Sequence, residues 1–284
     1  MKKQTITFLV FLLAVSGIFC SCGNATKQNI GLKFGKTSTN RTVHLLADTA
    51  NPACNLVVDM EYAKQADNEE LKDSVNNYIL SLCLGDKYIG LAPDTAVQQY
   101  ADRYTADYRK DLEPMFLKDK AENLDKAAIG AWYSYYEKVK GEVQLYQKNL
   151  LTYSYYYEEY TGGAHGIYLT TFLNLDLRTL TPIHLDDLFV EEYQEALTEL
   201  LWNQLMVDNK VTTRQELEEM GYGSTSDLKP IDNFYLTPRG ITFHYNVYEI
   251  APYAMGNVTI HIPYEQMEHI LSDDYAILQS IRKQ

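Results

Sequence analysis

Beyond residue 19 this sequence has no apolar run long enough to cross a bilayer, so no membrane span is expected in its body. It has no HExxH, no GxSxG, no phosphate-cradling glycine loop and no CxxC. Those absences exclude the familiar zinc peptidase, nucleophile-elbow hydrolase, P-loop and thioredoxin-like chemistries, and leave room only for an unfamiliar active site. Basic residues are scarce: 25 Lys and Arg stand against 38 Asp and Glu, a net charge of −13. An acidic surface repels phosphate backbones and anionic lipid, which argues against nucleic acid and favours neutral glycans or cationic proteins as ligands. Acidity also simply keeps a protein soluble. Cysteine is scarce as well, with four in 284 residues.

What is present begins with a leader. Lys2 and Lys3 precede an apolar stretch from Ile6 to Phe19, followed by small residues and cysteine, the pattern of a secretory signal. Ser21 before Cys22 has the form of a lipoprotein processing site, giving a signal peptide over 1–21 and a diacylglyceryl group on the Cys22 sulfur; an ordinary signal peptide cut nearby is the alternative. The crowding of Cys, Ser and Gly there resembles lipoproteins of the Bacteroides group. Loss of residues 1–21 removes two lysines and no acid, taking the net charge to −15. The segment after Cys22 lacks an acidic run, so the expected location is the outer membrane, facing the periplasm, with the lipid as the sole membrane contact. Cys54 and Cys83 then remain. In an oxidising compartment they form a possible disulfide, or both are small buried hydrophobes.

Residues 22–40 are polar and aperiodic and read as a flexible tether. TVHLLAD and CNLVVDMEY read as strands. In DNEELKDSVNNYILSLCL, Asp67 and Glu70 make a capping-box pattern, and Leu71, Val75, Tyr78, Ile79 and Leu82 share a helical face. A second helix starts at Pro93 and keeps its spacing until Pro114. From Gly130 to Tyr160 the tyrosine-dense sequence reads as a β-meander. Tyrosine reaches 24 residues, suited to half-buried sheet faces and to recognition surfaces alike. A helix with Tyr193, Leu197, Leu200, Leu201 and Leu205 follows, then a hairpin around Pro238–Gly240, a strand with Val258, Ile260 and Ile262, and a closing helix near Pro263. The expected fold class is α+β, with antiparallel sheets packed on a few helices in two associated subdomains, 41–150 and 151–284.

Two irregular stretches carry the candidate ligand-binding residues. In YTGGAHG, Gly162 and Gly163 permit a positive-φ reversal between strands, and Tyr160 and His165, with Glu158 and Glu159, form a set able to hold a glycan hydroxyl or a cation. A plain hairpin turn is the competing reading. In VYEIAPYAMG, Pro252 and Gly256 break the strand and leave Tyr248, Glu249 and Tyr253 on an irregular segment, where they either bind or pack the loop. His244 and His261 lie on polar strand faces without a spaced third ligand, so no metal is expected, nor any cofactor.

Taken in order, TGGAHG, the strand ending in LDL, LTPIHLDDLF and NFYLTPRGITFHYNVYEIAPYAMGNVTIHIPYEQM resemble a bacterial extracytoplasmic domain of unknown function, shared by RsiV-type anti-sigma factors and PdaC-type peptidoglycan deacetylases. The resemblance covers about residues 150–275; residues 42–150 resemble more loosely the domain that precedes it. It implies an α+β fold and, from its lysozyme-binding member, a ligand-binding ectodomain. The deacetylase's hydrolysis belongs to a separate metal domain whose paired acids and histidines have no counterpart here. The sequence therefore reads as a lipid-anchored envelope protein recognising a cell-wall glycan or a cationic protein such as lysozyme. The alternative is a hydrolase acting on an envelope polymer through Glu249 and His165.

Overall fold

The computed structural model describes residues 31–122, 126–147, 149–273 and 276–282. The expected signal peptide over 1–21, the expected lipidation at Cys22 and the expected tether as far as residue 30 lie outside the described residues. Strand β1 (Leu32–His44) pairs antiparallel with β2 (Ala53–Ala66). Helices α1 (Glu69–Leu84), α2 (Pro93–Ala121) and α3 (Lys126–Tyr133) then cross to β3 (Tyr135–Gln147), which runs parallel to β2. A meander through β4 (Leu150–Tyr160), β5 (Ile167–Asp176) and the short β6 (Thr181–Pro182) completes a six-stranded sheet in sequence order. Helices α4 (Leu185–Leu188), α5 (Gln194–Asn209) and α6 (Arg214–Met220) lead to a second, three-stranded sheet of β7 (Phe234–Leu236), β8 (Gly240–Tyr245) and β9 (Val258–Pro263). Helices α7 (Tyr264–Met267) and α8 (Ala276–Arg282) close the chain. The fold is α+β, with neither sheet closed into a barrel.

Residues 32–40, expected to belong to the tether, are part of β1. Leu32 and Thr37 are buried, whereas Lys36, Ser38, Asn40 and Thr42 all stand on the exposed face. A strand with one wet face needs few apolar residues, so polarity misled there. The division expected at 150/151 falls inside β4 and so cuts the β3–β4 hairpin. The sheet is also not wholly antiparallel, since three helices separate β2 from β3 and a crossover of that length returns the chain parallel.

Local corrections have equally local causes. Asn68, not Asp67, caps α1 by accepting the Leu71 N–H at 2.8 Å, and the Asp67 carboxylate takes the Gly31 N–H instead. Helix α2 continues through Pro114, which is exposed, because Phe116 beyond it is buried against Tyr133. Packing of that next turn outweighs the ~3 kcal/mol that an interior proline costs. Residues 131–133 end α3 and do not begin the meander.

One face of the large sheet is covered by α1 and α2, where Leu56, Val58, Met60, Val139 and Tyr153 meet Val75, Ile79 and Val97. Gly141 is required there: a Cβ would stand 2.1 Å from the Tyr153 hydroxyl and 3.1 Å from the Cys83 sulfur. Cys83 thus lies beside Gly141, which is registered with Met60, six residues along β2 from Cys54. At ~3.3 Å per residue that is about 20 Å, far beyond disulfide reach. Both cysteines are free and buried, in different packing clusters. Burial pushes their thiols up, to about 11 for Cys54 and about 12 for Cys83.

The small sheet packs Ile241, Phe243, Ile260 and Ile262 against Leu197, Leu201 and Leu205 of α5. Three asparagines join the two sheets where no strand pairing does. Asn246 accepts the Thr170 N–H at 2.7 Å and donates to the Thr170 carbonyl at 3.1 Å. Asn233 accepts the Phe172 N–H and donates to the carbonyls of Thr170 and His244. Buried Asn174 donates to the Phe234 carbonyl and accepts from Leu236 N–H and the Thr152 hydroxyl. A primary amide carries the donor and acceptor of a peptide unit, so these side chains serve as rungs along the edge of β5.

Candidate functional site

The uncovered face of the large sheet is polar and aromatic. Registered neighbours place Asn55, Val57 and Asp59 of β2 beside Tyr136, Lys138 and Lys140 of β3, then Tyr156 and Glu158 of β4, then Tyr168, Thr170 and Phe172 of β5. Tyr156 and Tyr136 donate to the same Glu158 oxygen at 2.9 and 3.3 Å, and Lys138 stands 5.7 Å over the Tyr156 ring. Burial first, and the Glu158 carboxylate next, push both phenols up, so they stay neutral donors. The face continues onto the small sheet, where Phe172 packs on Tyr235 at 4.6 Å and His244 at 5.5 Å.

At one end of this face three separate segments converge. The β4–β5 loop turns through Gly162 and Gly163, both at positive φ, and a Cβ on Gly162 would come within 3.1 Å of the Trp132 carbonyl at the end of α3. Gly166 lets the exit strand approach, since a Cβ there would meet the Glu159 carbonyl at 2.5 Å. The Tyr160 hydroxyl donates to the Gly163 carbonyl at 2.9 Å, with the Ala131 carbonyl 3.5 Å away. The loop is a hairpin between β4 and β5, and it meets the second irregular stretch. His165 stacks on Tyr253 with ring centroids 4.4 Å apart, and Tyr253 also meets Tyr168 at 5.7 Å and Tyr248 at 5.5 Å.

His165 is exposed, with Nδ1 2.8 Å from the Gly166 carbonyl. A carbonyl can only accept, so Nδ1 carries the hydrogen and Nε2 is left to accept from the Tyr248 hydroxyl at 3.4 Å. Tyr248 is 47% exposed and holds φ at +69°, a conformation that costs a bulky residue energy and persists where its surroundings dictate it. Five aromatic or imidazole rings, those of Tyr160, His165, Tyr168, Tyr248 and Tyr253, gather at this end, where the backbone of Trp132 meets the glycine turn.

Of the seven residues singled out in sequence, Tyr160, Gly162, Gly163, His165, Tyr248 and Tyr253 meet here. Glu249 does not pair with His165: its carboxylate accepts the Asn246 N–H at 2.7 Å. The expected acid–base couple is not formed. Glu158 and Glu159, adjacent in sequence, lie on opposite faces, as alternation in a strand requires. His244 and His261 are diagonal across β8 and β9, and His261 spends Nδ1 on the Thr242 hydroxyl at 2.8 Å. Among the described residues no group of three His, Cys, Asp or Glu side chains is placed to hold a metal. Trp132 and Tyr168 escaped the sequence reading. The first was read as strand, and the alternation of Tyr168 with Thr170 and Phe172 was the signal for the second.

No curated protein matches the chain. Two family models do: one described as protein of unknown function DUF3298 over residues 186–265, and one described as deacetylase PdaC over residues 49–168. A crystal structure of a DUF3298 family protein from Pseudomonas aeruginosa is 17% identical with a TM-score of 0.58, covering 86% of this chain and 96% of that one, and shares the fold. A crystal structure of a DUF3298 family member from Bacteroides fragilis is 53% identical with a TM-score of 0.87, spanning 90% of this chain and the whole of that one. On that identity across a complete relative, together with the family match over its second half, this chain belongs to the DUF3298 family.

Proposed function

We propose that this protein is a cell-envelope binding module, anchored by an acyl group on Cys22 and facing the periplasm, which recognises a cell-wall glycan at its aromatic rim. The observation that carries the reading is the convergence of Tyr160, His165, Tyr168, Tyr248 and Tyr253 from two segments distant in sequence at the end of an open, polar sheet face. Flat aromatic surfaces beside carboxylates and amines suit a sugar ring, which offers an apolar face and a hydroxyl edge. The family model named for a deacetylase supports N-acetylated sugars as the ligand class. Titration of the acyl-free protein from Lys27 with soluble muropeptides is expected to show binding that persists at high salt. Absence of binding at any salt concentration overturns the reading.

A net charge of −13 supports a second ligand, a cationic protein such as lysozyme. Binding of that kind weakens steeply as salt rises, so the same titration separates the two. Location has its own test: protease shaving of intact cells leaves a periplasm-facing protein whole.

A further inference from the structure

Beneath α2, on the face opposite the proposed ligand surface, two acids oppose one another: Glu137 of β3 is registered with Glu159 of β4. Glu137 is only 5% exposed. Its Oε1 accepts the Tyr100 hydroxyl of α2 at 2.5 Å, and its Oε2 lies 3.2 Å from the Tyr157 hydroxyl. That same hydroxyl lies 2.8 Å from Glu159 Oε2. A phenol has one hydrogen, so with both acids ionised a single hydrogen would face two carboxylates.

The surroundings supply no counter-charge. From the helical side Tyr88, Tyr100 and Tyr104 face the group, and the Tyr104 hydroxyl is buried without a partner. Cys54 approaches from β2 with its thiol held neutral, and Tyr155, Tyr157 and Glu159 come from β4. Among the described residues no cation pairs with Glu137. A buried carboxylate left in that state carries a large desolvation cost.

We infer that Glu137 keeps its proton at neutral pH and that the cluster runs in one direction: Tyr100 donates to the Glu137 carbonyl oxygen, Glu137 to the Tyr157 oxygen, and Tyr157 to the Glu159 carboxylate. Each donor is then used once and each contact is satisfied. Deprotonation leaves Glu137 and Glu159 competing for one hydrogen, so α2 is fastened to the sheet by a latch that loosens as pH rises. The direction of titration agrees: burial pushes the Glu137 carboxyl above its ordinary 4.5, Tyr100 and Tyr157 pull it down, and Glu159 pushes it up again. A carboxyl raised in the folded state stabilises fully below its unfolded value and loses that contribution as pH climbs through the folded one. This latch is independent of the ligand proposal.

Glu137→Gln tests it, because the amide accepts from Tyr100 and donates to Tyr157 as the protonated acid does. Melting of the whole protein between pH 5 and pH 8 is expected to show a wild-type Tm that falls with pH, and an E137Q Tm that falls less and is higher at pH 8 by a few degrees. In D2O at pH 7 the wild type is expected to show the infrared carbonyl stretch of a protonated carboxylic acid, absent from E137Q. If E137Q melts lower at pH 8 with an unchanged pH slope, Glu137 is needed as a charge and the inference is overturned. Should E137Q not fold, the wild-type spectrum decides, and absence of the band at pH 7 overturns it.

Discussion

Under α1 and α2 the large sheet presents Glu137, Tyr153 and Tyr157, whereas under α5 the small sheet presents Ile241, Phe243, Ile260 and Ile262. The second interior is held by volume: what matters is how many methyl groups fill the space. The first is held also by direction, because its buried hydroxyls, Tyr104 excepted, are tied to partners, as Tyr153 is to the Glu61 carbonyl at 2.7 Å and Tyr108 to the Tyr133 carbonyl at 2.7 Å. The two interiors should therefore answer differently to truncation, to pH and to solvent.

The largest effect is expected in the aliphatic half. Leu201→Ala, at a fully buried position, should cost roughly 2–5 kcal/mol. It should appear in urea unfolding as a lower midpoint with an unchanged slope. The counterpart in the tyrosine half, Tyr157→Phe, keeps the ring but leaves Glu137 and Glu159 without their shared hydroxyl, for about 1–3 kcal/mol; if it costs more than Leu201→Ala, the contrast between the interiors fails.

Between the halves, Asn174→Ala should cost about 1–3 kcal/mol, since it leaves the Phe234 carbonyl and the Leu236 N–H without their partner. Calorimetry reads that loss, and a transition split in two would sharpen the comparison by showing that the halves unfold separately. At the rim, Tyr253→Ala is expected to weaken muropeptide binding roughly tenfold while leaving the melting temperature within a few degrees of wild type. The smallest effect is none: reductant should leave the Tm unchanged, and thiol reagents should find Cys54 and Cys83 only after unfolding, since both are buried with raised pKa values.

Local signals in the sequence were dependable where a single element buried one face. The α1 stripe of Leu71, Val75 and Ile79 and the β9 alternation of Val258, Ile260 and Ile262 are both found as read. Signals failed where the deciding partner was distant in sequence. β1 looks like tether until β2 supplies its hydrogen bonds, and α2 looks finished at Pro114 until Phe116 finds Tyr133. The site shows the same limit. Each loop was legible from its glycines, prolines and aromatics, yet His165 and Tyr248 are 83 residues apart, and no periodicity reports that the Tyr248 hydroxyl meets the imidazole. Nor did adjacency reveal that Glu158 lies on the open face of the sheet and Glu159 on the covered one.

The asparagine rungs on β5 have a consequence for dissection of the protein. The PdaC match ends at residue 168 and the DUF3298 match begins at 186, so the stretch that carries most of β5 falls between two family labels. A fragment stopping at residue 182 looks like a tidy module on paper. It would expose the peptide groups of Thr170 and Phe172 along an open strand edge, with Asn233 and Asn246 gone. Such an edge recruits other strands, and the fragment should self-associate rather than remain a soluble half.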